Sequence, residues 1–238
     1  MERREADPFA KREVIETVSV IIPTLNEAKN LEHVFARLPQ WIDELIIVDG
    51  GSTDDTVEMV RQLRPDAKII GQDRSGKGNA LVCGFRAATS DIIVMIDADG
   101  STDAAEIPRY VAALRSGADY AKGSRFVTGG GSSDITLFRS LGNKVLCAIV
   151  NVMFDCNYSD LCYGYNAFYR RHLADLGINS TGFEVETLMN IRAARRGLRV
   201  IEVPSYEAER LHGTSNLNAV RDGIRVLRTI MSERISVS

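Results

Sequence analysis

The sequence predicts an α/β domain with a mostly parallel central sheet flanked by helices. Strand-like apolar runs alternate with helical patterns through the first half of the chain, from Val18 to Lys122. This alternation is typical of βαβ units with right-handed crossovers. The second half is less regular and combines long helices with two further strands.

Each element follows from a local pattern of apolar, capping and turn residues. The predicted strands are Val18–Ile22 (ended by Pro23), Glu44–Val48, Ala67–Ile70, Ile92–Ile96, Ala118–Lys122, Tyr163–Tyr169 and Leu198–Tyr206. The predicted helices cover about 26–38, 52–63, 76–88, 103–115, 135–154, 184–196 and 218–235.

The strand Ile92–Ile96 is the most informative, because its apolar residues end at Asp97-Ala98-Asp99-Gly100. Ligands of open α/β sheets bind outside the carboxyl ends of the strands. The loops after the first two strands also carry polar or acidic residues, at Asn26, Glu27 and Asp49. We therefore expect these groups to share one edge of the sheet, although turn or helix-cap aspartates would give a similar local pattern.

Length and composition indicate an ordinary globular chain. It has 238 residues, 45% of them hydrophobic and 26% charged, with a net charge of −3. We expect a charged tail over 1–16 and one domain over 17–238. The absence of a basic excess argues against a nucleic-acid partner. Uninterrupted apolar runs are far shorter than the roughly 20 residues that span a bilayer, and the N-terminus does not resemble a secretory signal, so a cytoplasmic location is expected.

Two long helices carry apolar stripes that admit more than one interpretation. The stripe of the helix at 135–154 consists of Leu137, Leu141, Val145, Ala148 and Val152, with Arg139 and Asn143 opposite. The stripe near the C-terminus consists of Leu217, Val220, Ile224, Leu227 and Met231, flanked by Arg221, Arg225 and Arg228. Packing on the domain or in a homodimer is one interpretation, and contact with a lipid chain or an anionic membrane surface is the other.

A glycine-rich segment, Gly71 to Gly78, nearly matches the phosphate loop G-x-x-x-x-G-K-[ST]. Gly78 stands where that loop needs Ser or Thr to hold Mg²⁺, so a nucleoside triphosphatase is disfavoured. The remaining interpretation is that Lys77 approaches a phosphate or an acidic residue.

Four ordered motifs resemble the family 2 inverting glycosyltransferases, and within that family the dolichyl- and polyprenyl-phosphate sugar synthases. They are Pro23-Thr-Leu-Asn-Glu27, Val48-Asp-Gly-Gly-Ser-Thr-Asp-Asp-Thr56, Gly76-Lys-Gly-Asn-Ala80 and Asp97-Ala-Asp-Gly100. The resemblance implies a GT-A fold with a nucleotide-sugar-binding half over 17–125 and an acceptor-binding half over 126–238.

A departing nucleoside diphosphate needs its charge neutralised, and Mg²⁺ or Mn²⁺ with oxygen ligands suits that task. We predict Asp99 as a direct metal ligand, with Asp97 assisting the metal or contacting the nucleotide. In the synthases a third ligand can come two residues later, and here that position is Ser101, a poorer ligand than an amide or a carboxylate.

The resemblance also assigns residues to the nucleotide sugar. It places Pro23, Asn26 and Glu27 in the nucleoside pocket and Asp49 on the base or ribose, with Lys77 nearby. A helix-start charge at Glu27 and a turn residue at Asp49 are the structural alternatives.

On the acceptor side, the resemblance gives Arg125 and Arg139 the lipid phosphate, with Asn143 one turn beyond Arg139. Arg suits bidentate phosphate binding. Asp160 is predicted to act as a general base or to orient a basic group. A phosphate nucleophile is largely ionised at neutral pH and needs no strong base, whereas a sugar hydroxyl would need one, from Asp160 or Glu186.

The segment from Arg210 to Leu217 resembles the family loop R-x-x-G-x-S-K-L, thought to close over the diphosphate. Arg210 and Ser215 match this pattern, but Asn216 replaces the usual Lys. His212 lies in the same segment and is either close to the metal and phosphate or a solvated loop residue.

The predicted function is therefore metal-dependent, inverting transfer of a sugar from a GDP- or UDP-sugar to a polyprenyl-phosphate acceptor. One alternative is transfer to a hydroxyl of a soluble acceptor. The other is a non-catalytic module that binds nucleotide sugars.

Overall fold

The computed structural model describes residues 16–214 and 217–235. The predicted tail lies, apart from Glu16, outside these residues, as do Ser215 and Asn216. The strands are β1 (Val18–Thr24), β2 (Glu44–Asp49), β3 (Lys68–Gly71), β4 (Ile92–Met95), β5 (Tyr120–Ser124), β6 (Gly131–Ser132), β7 (Asn166–Tyr169), β8 (Val200–Pro204) and β9 (Tyr206–Glu207). The α-helices are α1 (Ala28–Ala36), α2 (Thr56–Leu63), α3 (Lys77–Ala87), α4 (Ile107–Arg115), α5 (Leu137–Phe154), α6 (Leu173–Leu176), α7 (Val185–Arg195) and α8 (Ala219–Ile235).

Seven strands form the main sheet in the order β3-β2-β1-β4-β7-β5-β8. Their pairings are parallel except those of β7, which runs antiparallel to both β4 and β5. The predicted α/β class with a mostly parallel sheet is therefore confirmed. The short strands β6 and β9 form a second, two-stranded sheet.

The strands of the main sheet are buried on both faces because helices cover each side. Val20 and Ile22 of β1 join one apolar cluster with residues of α1, α2 and α4. Ile21, between them, points to the other face and joins residues of α3 and α7. Side chains that alternate across a strand thus supply both cores.

Two prolines test the predicted boundaries. Strand β1 continues through Pro23 to Thr24, whereas we expected it to end at Pro23. Its pairing with β4 stops at Ile21, so Pro23 lies where β1 is paired with β2 alone and its missing N–H interrupts no bond to β4. Pro108 lies in the first turn of α4, where its missing N–H breaks no hydrogen bond of the helix.

The structure contradicts one of our interpretations of the apolar stripes of α5 and α8, which is that they pack on the domain. Leu137 and Val152 of α5 are 91% and 87% exposed, and the apolar stripe of α8 is also exposed at Val220 and Ile224. Packing of these stripes on the domain is therefore wrong. The opposite faces make the contact instead, since Val150 of α5 belongs to an apolar cluster that includes residues of α8.

Helix α5 is long and apolar enough, by length and composition, to cross a membrane. In this structure its inner face packs on the domain, and Asn143 on that face is buried. The helix therefore lies on the surface of the domain with one apolar face outward.

Candidate active site

The acidic pair is held by a tight turn at the end of β4. Ile96 and Ala98 are buried, while Asp97 and Asp99 are partly exposed at the sheet edge. Gly100 follows with φ of +77°, a backbone conformation that favours glycine. An added Cβ at Gly100 would lie 2.6 Å from a methyl carbon of Leu211, so this exposed side chain would have to move to admit any other residue.

Asp99 is engaged on both carboxylate oxygens. Its Oδ1 accepts hydrogen bonds from the backbone N–H and the hydroxyl of Ser101, the latter at 2.7 Å. Its Oδ2 lies 3.0 Å from Nη2 of Arg210. Arg210 also donates from Nη1 to Oε1 of Glu27 at 2.9 Å. One guanidinium thus joins the acid at the end of β4 to the acid before α1.

Burial raises the pKa of Glu27, and the hydrogen bonds from Asn30 and Arg210 act in the opposite direction. Burial also opposes the charge of Arg210, but the carboxylates of Asp99 and Glu27 outweigh it and raise the pKa of Arg210. Arg210 is therefore a permanent positive charge at this edge of the sheet.

Asp97 belongs to a second charged group beside the first. Nζ of Lys77 lies 2.6 Å from Oδ1 of Asp97 and 2.9 Å from Oε1 of Glu186. Burial disfavours the charge of Lys77, but both carboxylates outweigh it and raise the pKa of this amine. Lys77 thus approaches acidic residues, which is one of the two interpretations of its glycine-rich segment.

Gly164 completes the enclosure of this group. Its backbone approaches so closely that an added Cβ would lie 2.7 Å from both Oδ2 of Asp97 and Nζ of Lys77. A side chain at position 164 would therefore displace the lysine or the acid.

Arg125, at the end of β5, is almost completely buried in an ion-pair cluster. Its Nε and Nη2 donate to the two oxygens of Asp160 at 2.7 and 3.0 Å, and its Nη1 donates to Glu207 at 2.9 Å. Burial opposes the charge on Asp160, but the hydrogen bonds and charge of Arg125 outweigh it and lower the pKa of Asp160. Asp160 therefore orients a basic group in this structure, and both of its oxygens are occupied.

Arg139 and Asn143 lie on the inner face of α5. Arg139 donates to Asp134 at 2.9 Å and keeps 27% of its side chain exposed. The amide oxygen of Asn143 accepts from the backbone N–H of Leu161 at 3.0 Å. Its amide nitrogen is buried and has no hydrogen-bond partner within residues 16–214 and 217–235.

These groups line one cavity of about 420 Å³. The predicted site residues on its wall are Pro23, Glu27, Lys77, Asp97, Asp99, Ser101, Arg125, Arg139, Asn143 and Arg210, together with the candidate base Glu186. Sequence spacing and family resemblance thus identified residues that the fold brings together from both halves of the chain.

Three predicted residues lie off the cavity wall. Asn26 accepts from the backbone N–H of Thr53, and Asp49 accepts from the backbone N–H groups of Gly51 and Ser52. Both side chains therefore shape the turn after β2, and a direct contact with the nucleotide stays a prediction. Asp160 is the third, behind Arg125.

A divalent cation fits the donor set at the end of β4 only if the substrate completes its coordination. Within the described ranges, no group of three His, Cys, Asp or Glu side chains is placed to hold a metal. Asp97 and Asp99 supply hard oxygen ligands, and such ions commonly take their remaining ligands from phosphates and water. Ser101 donates its hydroxyl to Asp99, so it orients that acid in this structure.

Sequence reasoning missed two acids that form ion pairs with predicted arginines of the site. Glu207 of β9 pairs with Arg125, and Asp134 pairs with Arg139. Neither acid stands in a motif. Glu207 meets Arg125 only through the tertiary fold, whereas Asp134 is five residues before Arg139 in sequence.

The comparisons with known proteins agree with this geometry. The model of the glycosyl transferase family 2 matches residues 19–177, and the chain belongs to that family. Dolichol-phosphate mannosyltransferase of Pyrococcus furiosus is 32% identical over 209 residues, which cover 84% of this chain and 59% of that protein. Undecaprenyl-phosphate mannosyltransferase of Micrococcus luteus is 31% identical over 213 residues, covering 84% and 87% of the two chains.

A solved structure of glucosyl-3-phosphoglycerate synthase from Mycobacterium tuberculosis, in complex with Mn²⁺, UDP and phosphoglyceric acid, superposes with a TM-score of 0.75 at 26% identity. The match covers 92% of this chain and 78% of that one. The fold is therefore the GT-A fold that the motifs implied, and the protein is a glycosyltransferase.

Proposed function

We propose that this glycosyltransferase moves a sugar from a nucleotide sugar to a polyprenyl phosphate, with inversion at the anomeric carbon and with Mg²⁺ or Mn²⁺ bound. The observation that carries the proposal is the single cavity that joins Asp97 and Asp99 to Arg139 and Asn143. One enclosure thus contains both the acids predicted to face the donor and the side chains predicted to face the acceptor phosphate. The names of the two relatives above, both polyprenyl-phosphate mannosyltransferases, support the same acceptor class.

Asp99, assisted by Asp97, would hold the metal ion, which when bound supplies positive charge to the diphosphate of the donor. Arg210 lies against Asp99 and carries a permanent charge. Arg210 would bind an oxygen of the diphosphate once its guanidinium separates from Asp99. Fixed positive groups at a departing diphosphate stabilise the charge that develops there.

Arg139 is the better placed of the two predicted phosphate-binding arginines. It pairs with one half-exposed acid, whereas Arg125 is surrounded by Asp160 and Glu207. An acceptor phosphate at Arg139 would be ionised at neutral pH and would need no proton removed before attack. The occupied oxygens of Asp160 are consistent with a reaction that needs no strong base.

We also propose that α5 and α8 contact a membrane at its cytoplasmic face, where a polyprenyl phosphate would be embedded. Leu141 of α5 and Leu227 of α8 are among their exposed apolar residues. The exposed cations Lys144, Arg221 and Arg228 accompany them. Apolar side chains with neighbouring cations suit an anionic lipid surface.

A second candidate is transfer to a soluble phosphorylated acceptor. Phosphoglyceric acid in the similar synthase structure favours it, because that molecule also carries a phosphate. The two candidates share the cavity and differ in what lies beyond the phosphate.

One experiment separates them. The protein is incubated with radiolabelled GDP- or UDP-sugars, Mn²⁺ and either undecaprenyl phosphate in detergent or 3-phosphoglycerate. We expect chloroform-soluble product whose formation falls by about 100-fold in Arg139→Ala, and unchanged product in the exposed control Arg61→Ala. Product formed from 3-phosphoglycerate alone would replace the lipid proposal with the second candidate.

Isothermal titration of the same nucleotide sugars tests the metal. We expect donor binding that depends on Mn²⁺ and is lost in Asp99→Asn. Equally tight binding without the ion would contradict the assignment of Asp97 and Asp99.

A further inference from the structure

The cavity continues past the phosphate-binding edge into a groove between α5 and α8. On α5 the wall is formed by Phe138, Gly142 and Leu146, which are four residues apart and therefore share one helix face. On α8 it is formed by Ala219, Asp222, Gly223 and Val226, and the carboxylate of Asp222 accepts a hydrogen bond from the backbone N–H of Asn218. Each helix thus presents one glycine to the groove, with larger residues on either side.

Glycine inside a helix needs an explanation, because its greater backbone freedom makes it less favourable there than alanine. Close packing often supplies it. Gly84 of α3 is such a case, since an added Cβ there would lie 2.4 Å from Ile21. At Gly142 and Gly223, by contrast, an added Cβ would meet no atom of residues 16–214 and 217–235 within 4 Å. Close packing therefore does not explain these two glycines, and the space beside them is the groove itself.

A buried donor at the inner end of the groove points to a ligand. Asn143, next to Gly142, is 4% exposed and lines the cavity. Its amide oxygen is used by Leu161, but its amide nitrogen has no partner in the described part of the chain. A buried N–H without an acceptor is costly, so a ligand oxygen at this position would relieve the cost.

The groove therefore runs from polar donors at Arg139 and Asn143 to helices whose outer faces are apolar and exposed. This gradient matches an amphiphile with an anionic head and a hydrocarbon tail. We propose that Gly142 and Gly223 keep open a path for the first isoprene units of the acceptor's chain, and so determine which lipid phosphates the enzyme accepts. The inference rests on the proposed lipid acceptor and adds the residues that select it.

The test is a size series at each glycine, with alanine, leucine and phenylalanine. We expect Gly142→Ala and Gly223→Ala to raise the melting temperature, because alanine favours the helix and meets no neighbour. We expect Gly142→Phe and Gly223→Leu to raise the KM for undecaprenyl phosphate by about tenfold or more. The KM for methyl phosphate, which has no isoprene unit, should rise less, and the Kd for the nucleotide with Mn²⁺ should not change.

If the leucine and phenylalanine variants keep the wild-type KM for undecaprenyl phosphate, the inference about the two glycines is overturned and the proposed function is unaffected. Equal losses with the long and the short phosphate would also overturn it, since they would show damage to the phosphate site and no selection of the chain. If the wild-type protein transfers no sugar to undecaprenyl phosphate, the proposed function fails and this inference fails with it. The assay of the wild-type protein therefore distinguishes failure of this inference from failure of the proposed function.

Discussion

Nη2 of Arg210 lies 3.0 Å from Oδ2 of Asp99, so the guanidinium occupies one side of the acid that is predicted to bind the metal. The segment that carries Arg210 is fixed to the same turn, because the backbone N–H of Ala208 donates to the carbonyl of Ser101 at 2.8 Å. A metal ion bound by Asp99 would therefore compete with this arginine when no donor is bound.

Removal of the competing cation should change metal binding and turnover in opposite directions. We expect Arg210→Ala to bind Mn²⁺ more tightly in the absence of donor, and to lose about 100-fold in kcat because one diphosphate-binding cation is gone. Isothermal titration with Mn²⁺ alone and a transfer assay measure the two effects. Arg196→Ala, at an exposed arginine after α7, is the charge-matched control. Unchanged Mn²⁺ affinity in Arg210→Ala would contradict the competition.

The buried pair of Arg125 and Asp160 should matter for stability. Asp160→Asn leaves a buried guanidinium without one of its carboxylates, and we expect a loss of about 3 kcal/mol in the free energy of unfolding. Urea unfolding at pH 7 measures it, with the exposed Asp175→Asn as control. A large fall in kcat without a fall in stability would instead support a general base at Asp160.

The pair of Arg125 and Asp160 also predicts how the free energy of unfolding depends on pH. The pKa of Asp160 is lower in the folded protein than its usual value of about 4, so its contribution to stability is present above that pH. The contribution is lost as the pH falls through the folded pKa. The difference in unfolding free energy between wild type and Asp160→Asn should therefore shrink in strongly acidic solution. A difference that stays constant down to pH 2 would exclude this origin.

Lys77 and Glu186 should behave as a coupled pair. We expect Lys77→Met to lower the melting temperature, because it leaves Glu186 buried without a cation. We also expect weaker nucleotide-sugar binding, because the charge of Asp97 then faces the donor's diphosphate without the cation of Lys77. The double variant Lys77→Met, Glu186→Gln should recover part of the stability, since the remaining buried group is then neutral. A double-mutant cycle by thermal unfolding measures the coupling. Additive effects would show that the two side chains act independently.

The exposed faces of α5 and α8 predict binding to anionic vesicles. We expect Leu141→Glu to reduce vesicle binding by about tenfold, because it removes one apolar side chain from the lipid and adds a like charge. Cosedimentation with vesicles of phosphatidylglycerol and phosphatidylcholine measures it. Trp41→Glu is the control, at an exposed aromatic residue before β2 and away from the site edge. A homodimer that Leu141→Glu dissociates, with no vesicle binding in either protein, would assign the face to a second copy.

The donor side of the site was predictable because its signals are local. Strand β4 is a buried apolar run and ends in two acids, and parallel strands bring such ends to one edge. The resemblance then added roles for Glu27 and Arg210. The partnership of Lys77 with Glu186 had no such signal, since these residues are far apart in sequence and meet only after α7 packs on the sheet.

The direction of β7 and the orientation of α5 were not predictable for a similar reason. Asn166–Tyr169 is buried throughout, so its pattern is the same whether it runs parallel or antiparallel. The sequence of α5 shows an apolar stripe but does not show whether that stripe faces the domain or points outward. Long-range contacts, such as that of Asn143 with Leu161, determine which face of the helix points inward. Periodicity identified the two faces of the helix, and the tertiary contacts determined which one points outward.

The antiparallel strand has a consequence for how such enzymes can diversify. Strand β5 ends, and β7 begins, at the same edge of the sheet that carries Asp97 and Asp99. The intervening segment 125–165, which contains α5, therefore leaves and rejoins the scaffold beside the reaction centre. Its sequence and length can change without altering the register of any strand of the seven-stranded sheet. One fold can in this way exchange acceptors while it keeps its donor chemistry.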